Sequence, residues 1–436
     1  MLSFPRHDNG TMHNPFIERV TTPGQTVGRR TGRVFGIYRS GRLFHHFILG
    51  QTGTGKSTLI RNMIVQDIQH CEGFCLIDPH DDLAQSLRDY LNDHAIYWDI
   101  ADPLCEYGYN PLTYVAEAYR PLVTSGIIDA LKSQWLDAWG VRMEHCLRFV
   151  ILALLSRPHS SLADTIRLFT KRSFRTQVLK HITDEEVLKF WREEYPNINY
   201  KNAFDGVAPI ANKLGMFLSH PVVRKVVCEP AVPIRFRQVM DDSIPLVIDL
   251  SKGRQGSNIS SVLGGLILSM ITSGALTRDA LSEQQRRPYF VYVDECASFT
   301  TATMAEMLSE LRKYRMGLVL ARQYLSAIKP PIRDAIFGNV GNPIYLSFAL
   351  AQRMLPLLPN NSGTLSQRAS SICPTIGCSR LYDPSQTNKS FQCSIETRCG
   401  YPLIFNLKFH ILCLTLSVYE TKTRTIYAYH QLHHPP

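Results

Sequence analysis

At 436 residues the chain is longer than one compact core usually holds, and an apolar fraction of 44% supports a folded molecule with a main domain and a substantial insertion or lobe. No run reaches the roughly 18 uninterrupted apolar residues of a membrane span. The N-terminus, with Pro5, His7, Asp8 and Asn9, lacks the basic patch and apolar segment of a signal peptide, so composition excludes an exported or membrane-spanning chain and predicts a cytoplasmic one. A formal charge of +10 and a pI near 9.0 fit a nucleic-acid partner.

Residues 1–33 are rich in Pro, Gly, Thr and Arg without apolar periodicity and read as an extended lead-in, with order beginning near Val34. Next, Phe44-His-His-Phe-Ile-Leu forms an apolar run into Gly50-Gln51-Thr52-Gly53-Thr54-Gly55-Lys56-Ser57-Thr58. This fills the phosphate-loop template of Gly, four residues, then Gly-Lys-Ser/Thr. Gly50, Gly53 and Gly55 are expected to take backbone angles barred to other residues, turning successive N–H groups inward as an anion nest. The amphipathic stretch Thr58 to His70 predicts a helix whose N-terminal dipole lies beneath the same phosphates. Lys56 is then expected to bridge the β- and γ-phosphates of ATP, and Ser57 to ligate Mg²⁺.

Gly73 to His80 reads as a buried parallel strand, Asp81 to Leu91 as a helix with acidic residues in its first turn, and Ala95 to Ile100 as the next strand. Alternation of strand and helix predicts a doubly wound α/β sheet. From about 115 to 236 long helical segments dominate, for example Met143 to Leu155, and this stretch reads as a helical insertion. Sheet character returns at Ile244 to Leu250, followed by an apolar helix from Ser261 to Ile271. Tyr289-Phe-Val-Tyr-Val-Asp-Glu295 is an apolar strand closed by two carboxylates. Asp294 is expected in the Mg²⁺ shell, with Glu295 polarising the attacking water.

Thr303 to Arg315 predicts a helix with Met304, Met307, Leu308 and Leu311 on a core face. The strand Gly317 to Ala321 then delivers Arg322 and Gln323 to the ligand-binding edge of the sheet, where Gln323 senses the γ-phosphate, positions water or merely caps the strand. Arg312, Lys313 and Arg315 form a basic cluster with three readings: a solvated face, an arginine finger into a neighbouring subunit, or a DNA contact. Of the eleven cysteines, Cys71 and Cys75 lack a second pair at zinc-finger spacing and five lie beyond residue 370, so they read as reduced thiols.

The ordered set of Gly-Gln-Thr-Gly-Thr-Gly-Lys-Ser-Thr, Leu76-Ile-Asp-Pro-His-Asp-Asp-Leu83, Tyr292-Val-Asp-Glu295 and Leu311 to Leu325 resembles the conjugative coupling proteins of type IV secretion (TraG/TraD type), within the HerA/FtsK superfamily of DNA-pumping ATPases. The resemblance covers roughly 34–343. It implies a RecA-like motor domain in two segments, 34–114 and 237–343, around an all-helical insertion at 115–236. It further implies a homo-hexameric ring that drives DNA through its channel, with relaxase or secretion components as partners and a peripheral place at the inner membrane left open. By the same resemblance, Lys56 and Ser57 match nucleotide binding, Asp294 and Glu295 match hydrolysis, Gln323 the sensor and Arg312 the arginine finger. Asp78 and His80 fall in a motif beside the nucleotide.

Three features depart from the pattern. Asp81 stands where the family has Gly at a tight turn. The membrane-anchoring N-terminal segment common in coupling proteins is missing, implying a soluble subtype or a truncated chain. From about Ile344 acidic residues nearly vanish, with only Asp383, Glu396 and Glu420, and periodicity fades. Codons for Leu346 to Pro356, read one base earlier, can encode Phe-Phe-Arg-Val-Gly-Ala-Glu-Asp-Ala-Pro, and Ile372 to Cys378 can encode Leu-Pro-Asn-Tyr-Arg-Leu, both family-like. This reads as a frameshift near residue 343 that leaves 344–436 irregular and the motor without its last strand; a divergent low-acid tail is the alternative. The functional expectation is an ATP-driven DNA translocase acting as a coupling ATPase. A HerA-like helicase or packaging motor is the neighbouring alternative. A non-hydrolysing nucleotide-binding adaptor is the alternative from another class, against which Lys56 and Glu295 both speak.

Overall fold

Seven short apolar runs become the strands of one sheet: β1 (His46–Leu49), β2 (Gly73–Asp78), β3 (Ile96–Asp99), β4 (Leu246–Asp249), β5 (Tyr289–Val293), β6 (Met316–Arg322) and β7 (Asn342–Tyr345). The computed structural model describes residues 19–25, 34–113, 115–135, 139–198, 207–296, 302–328, 330–346, 392–396 and 402–406. The sheet runs β7-β1-β6-β5-β2-β4-β3, with every neighbouring pair parallel. Strands buried on both faces carry near-continuous apolar runs, which is why these segments are legible by composition.

Side chains alternate between the two faces. Ile48, Phe74, Leu76, Phe290 and Tyr292 pack on one face with Leu59, Ile60, Met63 and Ile64 of the helix Lys56–Gln69 and with Leu83 and Leu87 of the helix Asp82–Leu87. Phe47, Leu49, Cys75, Ile77, Val291 and Val293 face the other way, into a core shared with the helix Ser257–Leu276 and continuous with the helical segments. The stretch Ser257–Ala280 is long and apolar enough to cross a membrane, but most of it is buried in this core. Its neighbour, the helix Arg120–Gln134, approaches so closely that a Cβ on Gly126 would lie 1.9 Å from Ser269 Oγ.

The described chain between β3 and β4 is mostly helical, but the expected all-helical insertion also holds a strand, Val232–Pro233, paired in parallel with Tyr107–Gly108, and a ring cluster of Phe149, Phe169, Phe190, Trp191 and Tyr195 joins its helices, with Phe149 and Phe190 stacked at 4.4 Å. The segment expected to be one helix to Arg315 divides into a helix, Ala302–Glu310, and a 3₁₀ turn, Leu311–Tyr314, closed by Arg315 at φ 57°. Met304, Met307, Leu308 and Leu311 are buried. Cys71, Cys75, Cys105, Cys146, Cys228 and Cys296 are free thiols.

Two further expectations differ from the structure. The lead-in contains a strand, Val20–Gln25, paired antiparallel with Val34–Tyr38. Its β-branched start suits a strand, and Thr22 exchanges hydrogen bonds with Gln66 through N–H to Oε1 at 2.7 Å and carbonyl to Nε2 at 3.0 Å. The last strand of the sheet is present as β7, on an edge where Pro343 costs no ladder hydrogen bond. Two short strands farther on, Gln392–Glu396 and Pro402–Asn406, pair antiparallel. The rest of the stretch on which the frameshift reading rests lies outside the described residues.

Behind the sheet a charged network is sealed from water. Arg42, 1% exposed, donates to Asp67 through Nη1 at 2.5 Å and Nη2 at 2.9 Å, to Tyr292 Oη at 2.6 Å and to Thr21 Oγ1 at 2.9 Å. Its guanidinium lies 3.6 Å from the Phe290 ring centroid. Burial opposes the charge, yet Asp67 and then Tyr292 more than offset it, and the Arg42 pKa is raised. Removing one partner leaves the other buried and uncompensated. Arg42→Met should therefore cost about 3 to 5 kcal/mol of unfolding free energy, and Arg42→Met with Asp67→Leu less than the sum of the two single changes, both read by urea denaturation.

His45 and His46 enter β1 almost fully buried, and burial is the main cause that lowers their pKa values to about 4 and about 3. Folded histidines with depressed values are neutral where the unfolded chain is protonated, so their contribution is full above the ordinary pKa of about 6.5 and is lost as pH falls toward the folded values. The wild-type melting temperature should fall between about pH 6.5 and 4, and a His46→Leu variant should show a shallower fall across that window.

Candidate functional site

All seven strands point their carboxyl ends to one edge, and a cavity of about 540 Å³ opens there. Thr52 to Thr58, Asp78, His80, Asp82, Leu83, Asp294, Glu295 and Gln323 line it. Residues from β1, β2, β5 and β6, separated by up to about 270 positions in the chain, thus converge in one place.

The loop after β1 begins at Gly50, whose N–H donates to the Arg322 carbonyl at 3.1 Å. A Cβ there would lie 2.5 Å from Thr54 Oγ1 and 2.9 Å from Leu346 Cβ, so glycine is required by close approach. The left-handed backbone expected at all three glycines occurs only at Gly53 (φ 77°) and Gly55 (φ 93°). Gly50 and Gln51 support the loop from behind its lining residues. The Gln51 carbonyl accepts from Thr54 N–H at 3.2 Å, Thr54 Oγ1 at 2.7 Å and Lys56 Nζ at 3.3 Å. Gly55 caps the helix Lys56–Gln69, and the exposed N–H groups of its first turn face the cavity, an arrangement that attracts anions.

Four carboxylates, Asp78, Asp82, Asp294 and Glu295, and the Lys56 ammonium set the field. Burial lowers the Lys56 pKa, opposed by Glu295 and Asp294. Burial raises the Asp294 carboxyl, and the Asp78 charge adds to it. Ser57 Oγ donates to Asp294 Oδ2 at 3.4 Å, so a hydroxyl and a carboxylate converge at the phosphate loop. Such a pair of hard oxygen donors suits Mg²⁺. Glu295 follows directly, with its N–H on Asp294 Oδ1 at 2.9 Å and its backbone at φ 46°.

Asp78, whose role in the sequence stood open, accepts from His80 N–H at 2.9 Å and Ala84 N–H at 2.8 Å, and so shapes the turn into the helix Asp82–Leu87. Burial raises its pKa while those donors oppose the shift. His80 lines the cavity beside it. Gln323 also lines the cavity. Arg312 does not. It lies exposed before the start of β6, with its guanidinium 3.5 Å from the Phe44 ring centroid. Six strand steps, roughly 20 Å at about 3.3 Å each, separate that end of β6 from the edge where Gln323 lies.

The sequence placed Arg322 at the ligand-binding edge but gave it no role. Its Nη1 reaches Glu295 Oε2 at 3.3 Å, with both side chains largely buried. The available signal was a charged residue ending a buried strand, but the partner emerges only from the strand order.

Asp81 adopts φ 79°, the left-handed region in which glycine is favoured. Its carboxyl also sits against Asp249, whose pKa is pushed up to about 7, chiefly by burial and then by Asp81. Asp81→Gly removes both the strain and the like charge, and should raise the unfolding free energy by about 1 kcal/mol, measured by denaturant titration at neutral pH.

No family model and no curated protein matches this chain. Solved structures do share its fold. The bacterial conjugative coupling protein TrwBdeltaN70 in its unbound form is 18% identical over 73% of this chain and 72% of its own, with a TM-score of 0.53. The plasmid coupling protein TrwB in complex with ADP and Mg²⁺ is 17% identical over 71% of each chain, with a TM-score of 0.51. VirB4 of Thermoanaerobacter pseudethanolicus is 14% identical over 78% of this chain and 91% of its own, with a TM-score of 0.51. This chain therefore has the RecA-like α/β P-loop fold that TrwB also has.

Proposed function

We propose that the chain hydrolyses ATP to move DNA, as the coupling ATPase of conjugative or mobile-element transfer through type IV secretion. The observation that carries this reading is the convergence of Lys56, Ser57, Asp294, Glu295 and Gln323 on one cavity. A nucleotide-holding adaptor needs the first three, whereas a carboxylate beside the phosphate loop and a polar side chain opposite it suit hydrolysis.

In this reading the loop N–H groups and Lys56 bind the β- and γ-phosphates, and Ser57 and Asp294 hold Mg²⁺. The cation neutralises charge on the phosphates. Glu295 takes the proton of the attacking water, and Gln323 orients that water or senses the γ-phosphate. Arg312, on the opposite edge, can reach a phosphate only in a neighbouring copy, as in a ring of six. DNA as substrate is supported by the net charge of +10 and by the shared fold with a protein described as a conjugative coupling protein. Relaxase and secretion components follow as partners on the same ground.

Lys56→Ala should abolish ATP binding in equilibrium dialysis, since it removes the one lysine among the described residues that line the cavity. Glu295→Gln should bind ATP normally and lose turnover by about 10²- to 10⁴-fold. Added DNA should stimulate steady-state hydrolysis by the wild-type protein; ATP binding with no hydrolysis under any DNA condition would favour the adaptor.

A further inference from the structure

A base must be aimed as well as present. Glu295 sits just beyond the end of β5, outside any strand or long helix, with its backbone in the left-handed region. The group that engages its carboxylate comes from β6, the strand between β1 and β5.

β6 continues past β5. Leu320 stands opposite Val293, while Arg322 stands opposite Leu49, the last residue before the phosphate loop. Arg322 therefore touches both motifs. Its carbonyl accepts from Gly50 N–H at 3.1 Å, and its Nη1 donates to Glu295 Oε2 at 3.3 Å. The pair is largely withdrawn from solvent, at 16% and 13% side-chain exposure, so screening is weak. Arg322 itself is absent from the cavity lining, although the adjacent Gln323 is part of it.

We propose that Arg322 is the positioning residue for Glu295: it fixes one carboxylate oxygen, leaves Oε1 for the water, and ties the base to the start of the phosphate loop. The proposal rests on the reading of Glu295 as the base. A positional error of about 1 Å at a reacting group costs on the order of 10²-fold in rate, which sets the expected size of the effect.

The test uses the full chain with Arg322→Gln and Arg322→Lys, steady-state ATP hydrolysis, and binding of a fluorescent ATP analogue. Arg322→Gln should lower kcat about 10²-fold and leave KM and analogue affinity within about twofold. Arg322→Lys, which retains a cation and one donor, should recover much of that loss at an unchanged melting temperature. In a Glu295→Gln background, Arg322→Gln should have no further effect, because the two act as one unit. Unchanged kcat in Arg322→Gln would overturn the proposal, as would an equal loss in the Glu295→Gln background or a tenfold loss of analogue affinity, which would mean direct contact with phosphate. A Glu295→Gln variant that still hydrolyses ATP would remove the base and both claims together. An inactive Glu295→Gln beside a fully active Arg322→Gln would remove only this one.

Discussion

A parallel sheet brings the carboxyl ends of all its strands to one edge, and the chemistry of this molecule depends on that constraint. The phosphate loop leaves β1 and the Asp294-Glu295 pair leaves β5, with β6 between them. Two strand spacings, roughly 10 Å, thus separate the anion-binding turn from the carboxylates. The first turn of the helix Lys56–Gln69 crosses part of that gap and brings Ser57 Oγ to 3.4 Å from Asp294. Burial raises the Asp294 pKa and lowers that of Lys56. Each group is held in an environment that disfavours its charge, and in the proposed function a phosphate with its cation would supply the missing opposite charges.

The same edge is braced from behind. Tyr292, two residues before Asp294, shares its hydroxyl with Arg42 and Asp67, and Asp67 lies on the helix that begins at the phosphate loop. Thr21 of the lead-in strand completes the network. One buried guanidinium therefore connects the lead-in, the phosphate-loop helix and the strand that ends at Asp294. Its energetic cost of burial is offset only while every partner is present.

The parts legible in the sequence are those whose cause is local. Strand, glycine turn and helix around Lys56 are written in consecutive residues, and so is the apolar run that ends at Asp294. Asp81 could be singled out as a misfit at a tight turn, and its φ of 79° has the same cause. What stayed hidden depends on strand order. Arg322 and Glu295 are 27 positions apart, and Arg42 and Tyr292 are 250 apart. No periodicity links them, because a chain pattern records which face a residue takes and not which strand lies beside it. The lead-in strand was hidden for a related reason: Val20–Gln25 includes Pro23 and Gly24, which read as loop, and its order comes from pairing with Val34–Tyr38 and gripping Gln66.

Displacement of a triplex-forming oligonucleotide from duplex DNA reads directly whether hydrolysis at this edge moves DNA. The purified protein with ATP and Mg²⁺ should displace the oligonucleotide, and neither the protein with ADP nor the Glu295→Gln variant should. Hydrolysis at one rate with and without DNA, together with an undisturbed triplex, would contradict the proposed movement of DNA.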